Sequence, residues 1–286
     1  KKSYEFKGVN YVKAQDWHAS LHPLFKREVL KDFSQIKSLG LSTIKRYGPG
    51  VYDNNILSAA QEEGLNVIYS FWLPSSVDYL SDSLELNILK KKILKQVAEL
   101  KSKDAIKSWH LGNAVWDELK GGFTKPQLQN QRMAYLRWLN SLANDIRTID
   151  TSRKVSAEIN YQVYLSDVVD IFSAEVPAIS ALGINVIHKK FLDSVSAMNQ
   201  TSALALFVNK LPNVPEKTQR AAKTGWLLNA WQDDVFENHV SYNGLLNYQG
   251  FKKPDYQLLE EASSKTTSKS LPEVQILRPA QTPFSG

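Results

Sequence analysis

The chain has 286 residues, of which 43% are hydrophobic and 22% charged. That balance is typical of a globular protein with a sizeable core, and it excludes a disordered chain. No apolar run approaches the roughly 20 residues that a membrane-spanning helix needs, so no membrane span is expected. Cysteine is absent, which excludes disulfides, thiolate nucleophiles and cysteine-based metal sites.

The net charge of +6 is spread along the chain, with one local run at Lys90-Lys91-Lys92. Such a run is typical of a solvated helix face, and a basic groove for an acidic glycan or a nucleic acid is the alternative. We predict no nucleic-acid partner. The five histidines show no spacing that suits metal ligands, so neither a metal site nor a cofactor is predicted.

Strand-like segments alternate with helical stretches along the chain. The predicted strands are Tyr4–Tyr11, Ser42–Gly48, Asn66–Leu73, Ile106–Asn113, Lys154–Asn160, Val169–Val176, Ala203–Lys210 and Gly225–Gln232. The predicted helices are Lys26–Leu39, Asn54–Glu63, a stretch within Ser83–Lys103, Pro126–Ile149, Ile187–Met198, Pro215–Lys223 and Asp255–Ala262. Gly40 and Gly64 follow the first two helices, where glycine ends a helix well.

This alternation implies parallel strand pairing through right-handed crossovers. Eight such units in about 260 residues match a closed (β/α)8 barrel, the TIM barrel of the α/β class. An open doubly wound sheet is the alternative. It is disfavoured because no glycine-rich phosphate loop follows the first strand, where Gly8 lies inside the strand.

The sequence divides into a predicted barrel over residues 1–262 and a tail over 263–286. The tail opens with a Ser/Thr/Lys-rich linker and continues into one short strand-like segment, Pro272–Leu277. That segment either packs on the barrel or leads into a further domain of a longer parent protein.

Ligands of such barrels bind at the C-terminal ends of the strands. Aromatic, amide and carboxylate residues are concentrated at these predicted ends, a mixture that suits sugars because aromatic faces stack on sugar rings and polar groups bind hydroxyls. The candidates for substrate binding are Arg46, Tyr47, Trp72, Asn113, Asn160, Asn209 and Trp231. Core packing is the alternative for both tryptophans, and His110 is expected to be a structural residue that faces the helix layer.

Four segments resemble a clan of glycoside hydrolases. They are Phe6–Tyr11, Leu39–Tyr47, Trp109–Ala114, and a closing region that contains Trp231–Asp234, Tyr242–Leu246 and Lys253–Tyr256. Their order and spacing are similar to those of (β/α)8 barrels with two catalytic glutamates, of the β-galactosidase/β-glucuronidase and β-1,3-glucanase types. The resemblance covers roughly residues 4 to 262.

The resemblance implies a general acid/base directly after Asn113 and a nucleophile at the end of the seventh strand. Ala114 occupies the first position, and Leu206–Lys210 contains no carboxylate for the second. Ala114 is either a natural loss or a laboratory replacement of a glutamate. The missing carboxylate on the seventh strand favours natural loss, because a single trapping substitution would leave the nucleophile in place.

Other carboxylates could have taken over the chemistry. The candidates are Glu158 at the fifth strand end, Glu175 at the predicted sixth strand end, and Asp233 after the eighth. A buried carboxylate paired with Lys45 or Arg46 is the structural alternative for Glu158. A similar buried role is the alternative for Glu175, and a loop cap is the alternative for Asp233.

We therefore expect a catalytically degenerate barrel that binds an oligo- or polysaccharide, with an extracytoplasmic location. An active glycoside hydrolase or transglycosidase is the first alternative, with its acid removed at Ala114 or supplied by a relocated carboxylate. A structural or interaction domain whose cleft binds nothing is the second alternative.

Overall fold

The computed structural model describes residues 6–13, 23–186, 198, 204–210, 225–235 and 240–264. Its strands are β1 Lys7–Asn10, β2 Thr43–Gly48, β3 Asn66–Phe71, β4 Ile106–Leu111, β5 Lys154–Asn160, β6 Ala181–Val186, β7 Ala205–Lys210, β8 Gly225–Leu228, β9 Asp234–Val235 and β10 Val240–Ser241. The first eight strands close into a barrel in chain order, and every neighbouring pair is parallel. The predicted (β/α)8 barrel is confirmed.

The helices of the described residues surround this barrel. They are α1 Lys26–Ser38, α2 Asp53–Glu63, α3 Ser83–Leu100, α4 Val115–Glu118, α5 Gln127–Ile149, α6 Leu165–Glu175 and α7 Pro254–Ser264, with a 3-10 turn at Leu119–Gly121. Each longer helix buries one apolar stripe, as in α1, where Val29, Phe33 and Ile36 recur at helical spacing. Within the described residues, no helix is both long and apolar enough to cross a bilayer.

The sixth strand differs from the prediction. Residues 169–175 belong to α6, Val176 is the C-cap of that helix, and the strand lies at Ala181–Val186. Buried residues of α6 recur at Leu165, Val168, Val169 and Phe172, which is the three-to-four-residue spacing of a helix. Apolar content alone favoured a strand there, but periodicity decides the structure.

Other boundaries shift by a few residues. The fourth strand ends at Leu111 and the eighth at Leu228, so Asn113 and Trp231 lie in the loops that follow them. The last helix continues to Ser264, two residues beyond the predicted barrel boundary. The predicted helices Ile187–Met198 (except Met198) and Pro215–Lys223 and the tail after Ser264 lie outside the described residues.

The barrel interior is filled in layers. An apolar layer contains Ile68, Ala181, Phe207 and Leu227. Gly183 leaves the room that the Phe207 ring occupies, because a Cβ at this position would lie 2.6 Å from that ring. Further along the strands, toward their C-terminal ends, the interior becomes polar, and this polar end holds the candidate site.

Candidate functional site

Glu158 lies at the centre of the polar end. Its side chain is buried, and Oε2 accepts a short hydrogen bond from the ammonium of Lys45 on β2. Oε2 also lies 3.1 Å from Nε2 of His110 on β4 and 3.1 Å from Nδ2 of Asn209 on β7. The phenol of Tyr47 lies 3.1 Å from Oε1. One carboxylate therefore joins side chains from three other strands.

The protonation states of this cluster follow from the contacts. Burial alone would raise the pKa of Glu158, but the Lys45 charge and the His110 hydrogen bond hold it well below its ordinary value. Burial and then the charge of Lys45 lower the pKa of His110 to about 4. Neutral His110 therefore donates from Nε2 to Glu158, and its Nδ1 accepts from the Ser156 hydroxyl at 2.8 Å.

His110 faces the barrel interior, not the helix layer as the sequence suggested. Successive side chains of β4 point to opposite faces of the strand. Trp109 faces the helix layer, where its Nε1 donates a hydrogen bond to Asp150 Oδ2 at 3.0 Å, and His110 therefore faces the interior. The structural alternative for Glu158, a buried carboxylate paired with Lys45, is the arrangement observed. Sequence reasoning could not see that His110 joins the same pair.

Five asparagines lie at consecutive strand ends. We call them the asparagine arc: Asn10 on β1, Asn160 on β5, Asn185 on β6, Asn209 on β7 and Asn229 directly after β8. Asn185 donates to Asn160 Oδ1 at 3.0 Å, and Asn209 donates to Asn185 Oδ1 at 3.0 Å. Asn10 donates to Asn229 Oδ1 at 3.0 Å. The arc gives one side of the hollow a continuous amide lining.

Two acceptors of the arc have no hydrogen-bond partner among the described residues, Asn10 Oδ1 and Asn209 Oδ1. Their side chains are 7% and 3% exposed. An unpaired buried carbonyl is unfavourable, so a hydrogen-bond donor that gained access to either atom would be stabilised there.

The other side of the hollow is aromatic. Trp72, directly after β3, is 56% exposed, and its ring lies 5.5 Å from that of half-buried Tyr47 in an edge-on contact. Asn113 follows β4 and fixes this wall, because its Oδ1 accepts from the Leu73 backbone N–H at 2.9 Å. Its Nδ2 donates to Glu118 Oε2 at 3.2 Å. Exposed Trp72 thus offers a flat apolar face opposite the arc.

Ala114 is buried, and its methyl group presents no proton donor. Its backbone is left-handed, with φ 61° and ψ 37°, a conformation that no other non-glycine residue adopts in the described ranges. The residue begins the short helix α4. At the end of β7, Asn209 carries an amide and no carboxylate.

Three predicted site residues are tied into the surrounding structure. Arg46 faces the helix side of β2, where it donates to Lys13 O at 2.9 Å and lies 3.8 Å from Asp53. Trp231 is fully buried, with its ring 6.0 Å from that of Tyr256. Asp233 is held by Lys253 at 2.9 Å and by the Gly244 N–H at 2.8 Å. These contacts favour structural roles for all three.

Glu175 was expected at a strand end, and that placement is wrong. It is the last residue of α6, in the helix layer. The correction follows from the helical spacing of α6, and it moves the sixth strand end to Asn185. Sequence reasoning therefore missed Asn185, and it missed Asn229 because β8 ends four residues earlier than predicted.

No group of three or more potential metal ligands is present in the part of the chain that the structure describes. The polar end of the barrel instead combines amides, an exposed tryptophan, the compensated carboxylate of Glu158 and the carboxylate of Glu118 beside Asn113. That arrangement can bind hydroxyl groups and an apolar ring face without transferring a proton.

No family model matches the sequence, and no curated protein matches it. Solved structures with the same fold do match. A β-glucuronidase from Bacteroides uniformis, covalently bound to cyclophellitol-6-carboxylate aziridine, has a TM-score of 0.73 at 12% identity over 92% of this chain. The chain spans 36% of that enzyme's length.

Two further solved structures also match the fold of this chain. A β-galactosidase from Marinomonas ef1 has a TM-score of 0.68 at 10% identity, covering 91% of this chain and 59% of its own. Gas2p of Saccharomyces cerevisiae, in complex with laminaritetraose and laminaripentaose, has a TM-score of 0.64 at 14% identity. The match covers 96% of this chain and 68% of the Gas2p chain. The expected resemblance is confirmed at the level of the fold: the chain has the (β/α)8 barrel that these carbohydrate-active proteins share.

Proposed function

We propose that this barrel binds a glycan in the hollow between the asparagine arc and the Trp72 wall, and that it does not cleave the glycan. The observation that carries the proposal is the arc itself. Five amides on neighbouring strand ends offer donors and acceptors at the spacing of the barrel, and two of their buried acceptors lack a partner among the described residues. A sugar ring with several hydroxyls suits such a lining.

The absence of cleavage is inferred from the carboxylates. Glycosidases use two carboxyl groups, about 5–5.5 Å apart for retention or about 6.5–9.5 Å for inversion. Glu158 is the carboxylate that faces the barrel interior in the described residues, and it is surrounded by four donor groups. A carboxylate held in this way with a strongly lowered pKa is a poor acid and a poor nucleophile.

The relocated candidates do not supply a second group. Glu175 lies in the helix layer, and Asp233 is engaged by Lys253 and the Gly244 backbone. The positions that the resemblance assigns to the catalytic pair carry Ala114 and, at the seventh strand end, Asn209. Neither the positions assigned by the resemblance nor the relocated candidates therefore provide the catalytic pair that the active-enzyme alternative needs.

The structural neighbours support the ligand class. One is covalently bound to cyclophellitol-6-carboxylate aziridine, and another is in complex with laminaritetraose and laminaripentaose. The chain spans only part of these proteins, so we propose that the barrel is one domain of a longer carbohydrate-processing or cell-surface protein. An extracytoplasmic location fits a polysaccharide ligand and remains part of this proposal.

Titration calorimetry with laminaritetraose, cellotetraose and a β-1,4-galactotetraose, preceded by a glycan array, tests the binding. We expect at least one oligosaccharide to bind and Asn185→Ala to weaken that binding about tenfold, because one amide contact and the support of two others are lost. The matched control is Asn87→Ala on the exposed face of α3, which should leave affinity unchanged.

The same mixtures are followed for new reducing ends. Binding without release of reducing ends supports the proposal. A flat array, or an affinity that Asn185→Ala does not change, would contradict binding at the arc. Hydrolysis by the unmodified protein would contradict the noncatalytic assignment.

A further inference from the structure

The neighbours of this barrel include proteins with charged and with uncharged sugar ligands, so the fold does not choose between them. The charged residues around the hollow distinguish between these two classes of ligand. We propose that the site takes an uncharged sugar and that Glu118 is the residue that rejects acidic sugars such as uronates. This inference rests on the proposed glycan-binding function and specifies its ligand.

Glu118 is well placed for this role. It ends α4, the short helix that follows the fourth strand, and its side chain is exposed. Its Oε2 accepts from Asn113 Nδ2 at 3.2 Å, and Asn113 is anchored to the Leu73 backbone beside Trp72. The carboxylate is therefore linked through Asn113 to the Trp72 wall, and we infer from its electrostatic coupling to Glu158 that it lies on the inner side of that wall.

Among the described residues, no cation contributes to the electrostatic environment of the Glu118 carboxylate. Among the described residues that face the interior, the cation is Lys45, and Glu158 matches its charge. Partial burial raises the pKa of Glu118, and the negative charge of Glu158 adds to this effect, against hydrogen bonds from Ser75 and Asn113 that lower it. The Glu118 carboxylate thus lies in a field that is already unfavourable to negative charge.

A uronate carboxylate bound between the arc and Trp72 would add a further negative charge to this field. At separations of several ångströms near a protein surface, such repulsion corresponds to roughly a tenfold loss of affinity. A neutral sugar meets no such penalty, and its hydroxyls can donate to the Glu118 carboxylate as well as to the arc.

The test uses matched probes, namely laminaritetraose, cellotetraose and β-1,4-galactotetraose together with the same oligosaccharides oxidised to uronates at C6. We expect the neutral member of a pair to bind roughly tenfold more tightly to the unmodified protein. Glu118→Gln keeps the acceptor for Asn113 and removes the charge. It should narrow the ratio of neutral to uronate affinity roughly tenfold.

The control is Glu99→Gln, which makes the same charge change on the exposed surface near the end of α3, at the opposite end of the barrel. This control variant should change neither the affinity for the neutral oligosaccharide nor the affinity for its oxidised counterpart. Raising the salt concentration should reduce the ratio of neutral to uronate affinity of the unmodified protein, because salt screens the repulsion between Glu118 and the uronate.

The outcomes separate the two claims. If no probe binds, the proposed function fails, and the inference fails with it. If the uronate binds as tightly as the neutral sugar, the preference is wrong even though binding stands. If the preference exists but Glu118→Gln leaves it unchanged, the role assigned to Glu118 is overturned.

Discussion

Lys45 and Glu158 form an ion pair inside the barrel, with side chains only 2% and 4% exposed. The pair connects β2 to β5 across the barrel interior, near the C-terminal ends of these strands. Burying two charges is unfavourable by itself, and the arrangement holds because His110, Asn209 and Tyr47 also direct donors at the same carboxylate.

Glu158→Gln should destabilise the fold by about 3–5 kcal/mol, because the ammonium of Lys45 would remain buried without a counter-charge. Urea denaturation followed by circular dichroism measures this change in the free energy of unfolding.

The double variant Lys45→Met/Glu158→Gln is the control. It should be less destabilised than the sum of the two single variants, since neither charge is then left alone. Additive effects would show that the two side chains do not depend on each other.

Acidification should destabilise the protein through His110. Its pKa is about 4 in the folded state and about 6.5 in the unfolded chain. Between these values the unfolded chain binds more protons, so stability falls as the pH drops from 6.5. By pH 5, above the range where most unfolded carboxylates protonate, the loss is about 2 kcal/mol.

Denaturation curves at pH 7, 6 and 5 for the unmodified protein and for His110→Gln test this origin. The variant should have a flatter dependence of stability on pH in this range, whatever its stability at pH 7. Parallel slopes would assign the effect to other groups.

Trp72→Ala should weaken glycan binding by about 1–3 kcal/mol, which is the scale of one stacked aromatic face. Since the side chain is 56% exposed, the free energy of unfolding should change by less than about 0.5 kcal/mol. Calorimetry and denaturation on the same preparation separate the two quantities. Unchanged affinity would place the ligand elsewhere.

Trp231→Ala should behave in the opposite way. The ring is fully buried against Tyr256, so its loss leaves a cavity and costs about 3–5 kcal/mol of stability. Trp231→Phe should cost less because it keeps most of the volume. A Trp231→Ala protein of normal stability with weakened binding would restore Trp231 as a sugar platform.

Ala114→Glu should yield no measurable turnover of aryl glycosides. The added carboxyl would lack a partner, because Asn209 carries an amide at the end of β7 and Glu158 is held by its four donors. The assay is release of 4-nitrophenol from β-glucosides, β-galactosides and β-glucuronides. Turnover by this single variant would show that a nucleophile is still present.

The barrel could be predicted from the sequence because the alternation of elements is strong and leaves few topologies. The sixth strand could not, since Val169–Val176 and Ala181–Val186 are both short apolar runs. Only the spacing of Leu165, Val168, Val169 and Phe172 distinguishes the helix from the strand.

The site was predicted in part. Asn160 and Asn209 were identified because the C-terminal ends of β5 and β7 were predicted correctly. Asn185 and Asn229 were missed because the predicted C-terminal ends of the sixth and eighth strands were wrong. A signal was available, since one aliphatic residue directly precedes Asn near the end of several strands, as in Ile159-Asn160, Ile184-Asn185 and Val208-Asn209. The contacts of His110 with Glu158 depend on barrel closure, which no local pattern encodes.

Amide side chains neither gain nor lose protons across the range in which a protein stays folded. A recognition surface made of the asparagine arc therefore keeps the same hydrogen-bonding character in acidic and alkaline surroundings, unlike the carboxyl pair of a hydrolase, which works only where one member is protonated. The contribution of these amides to the proposed glycan binding should therefore not change with pH, whereas the rate of a two-carboxyl hydrolase does.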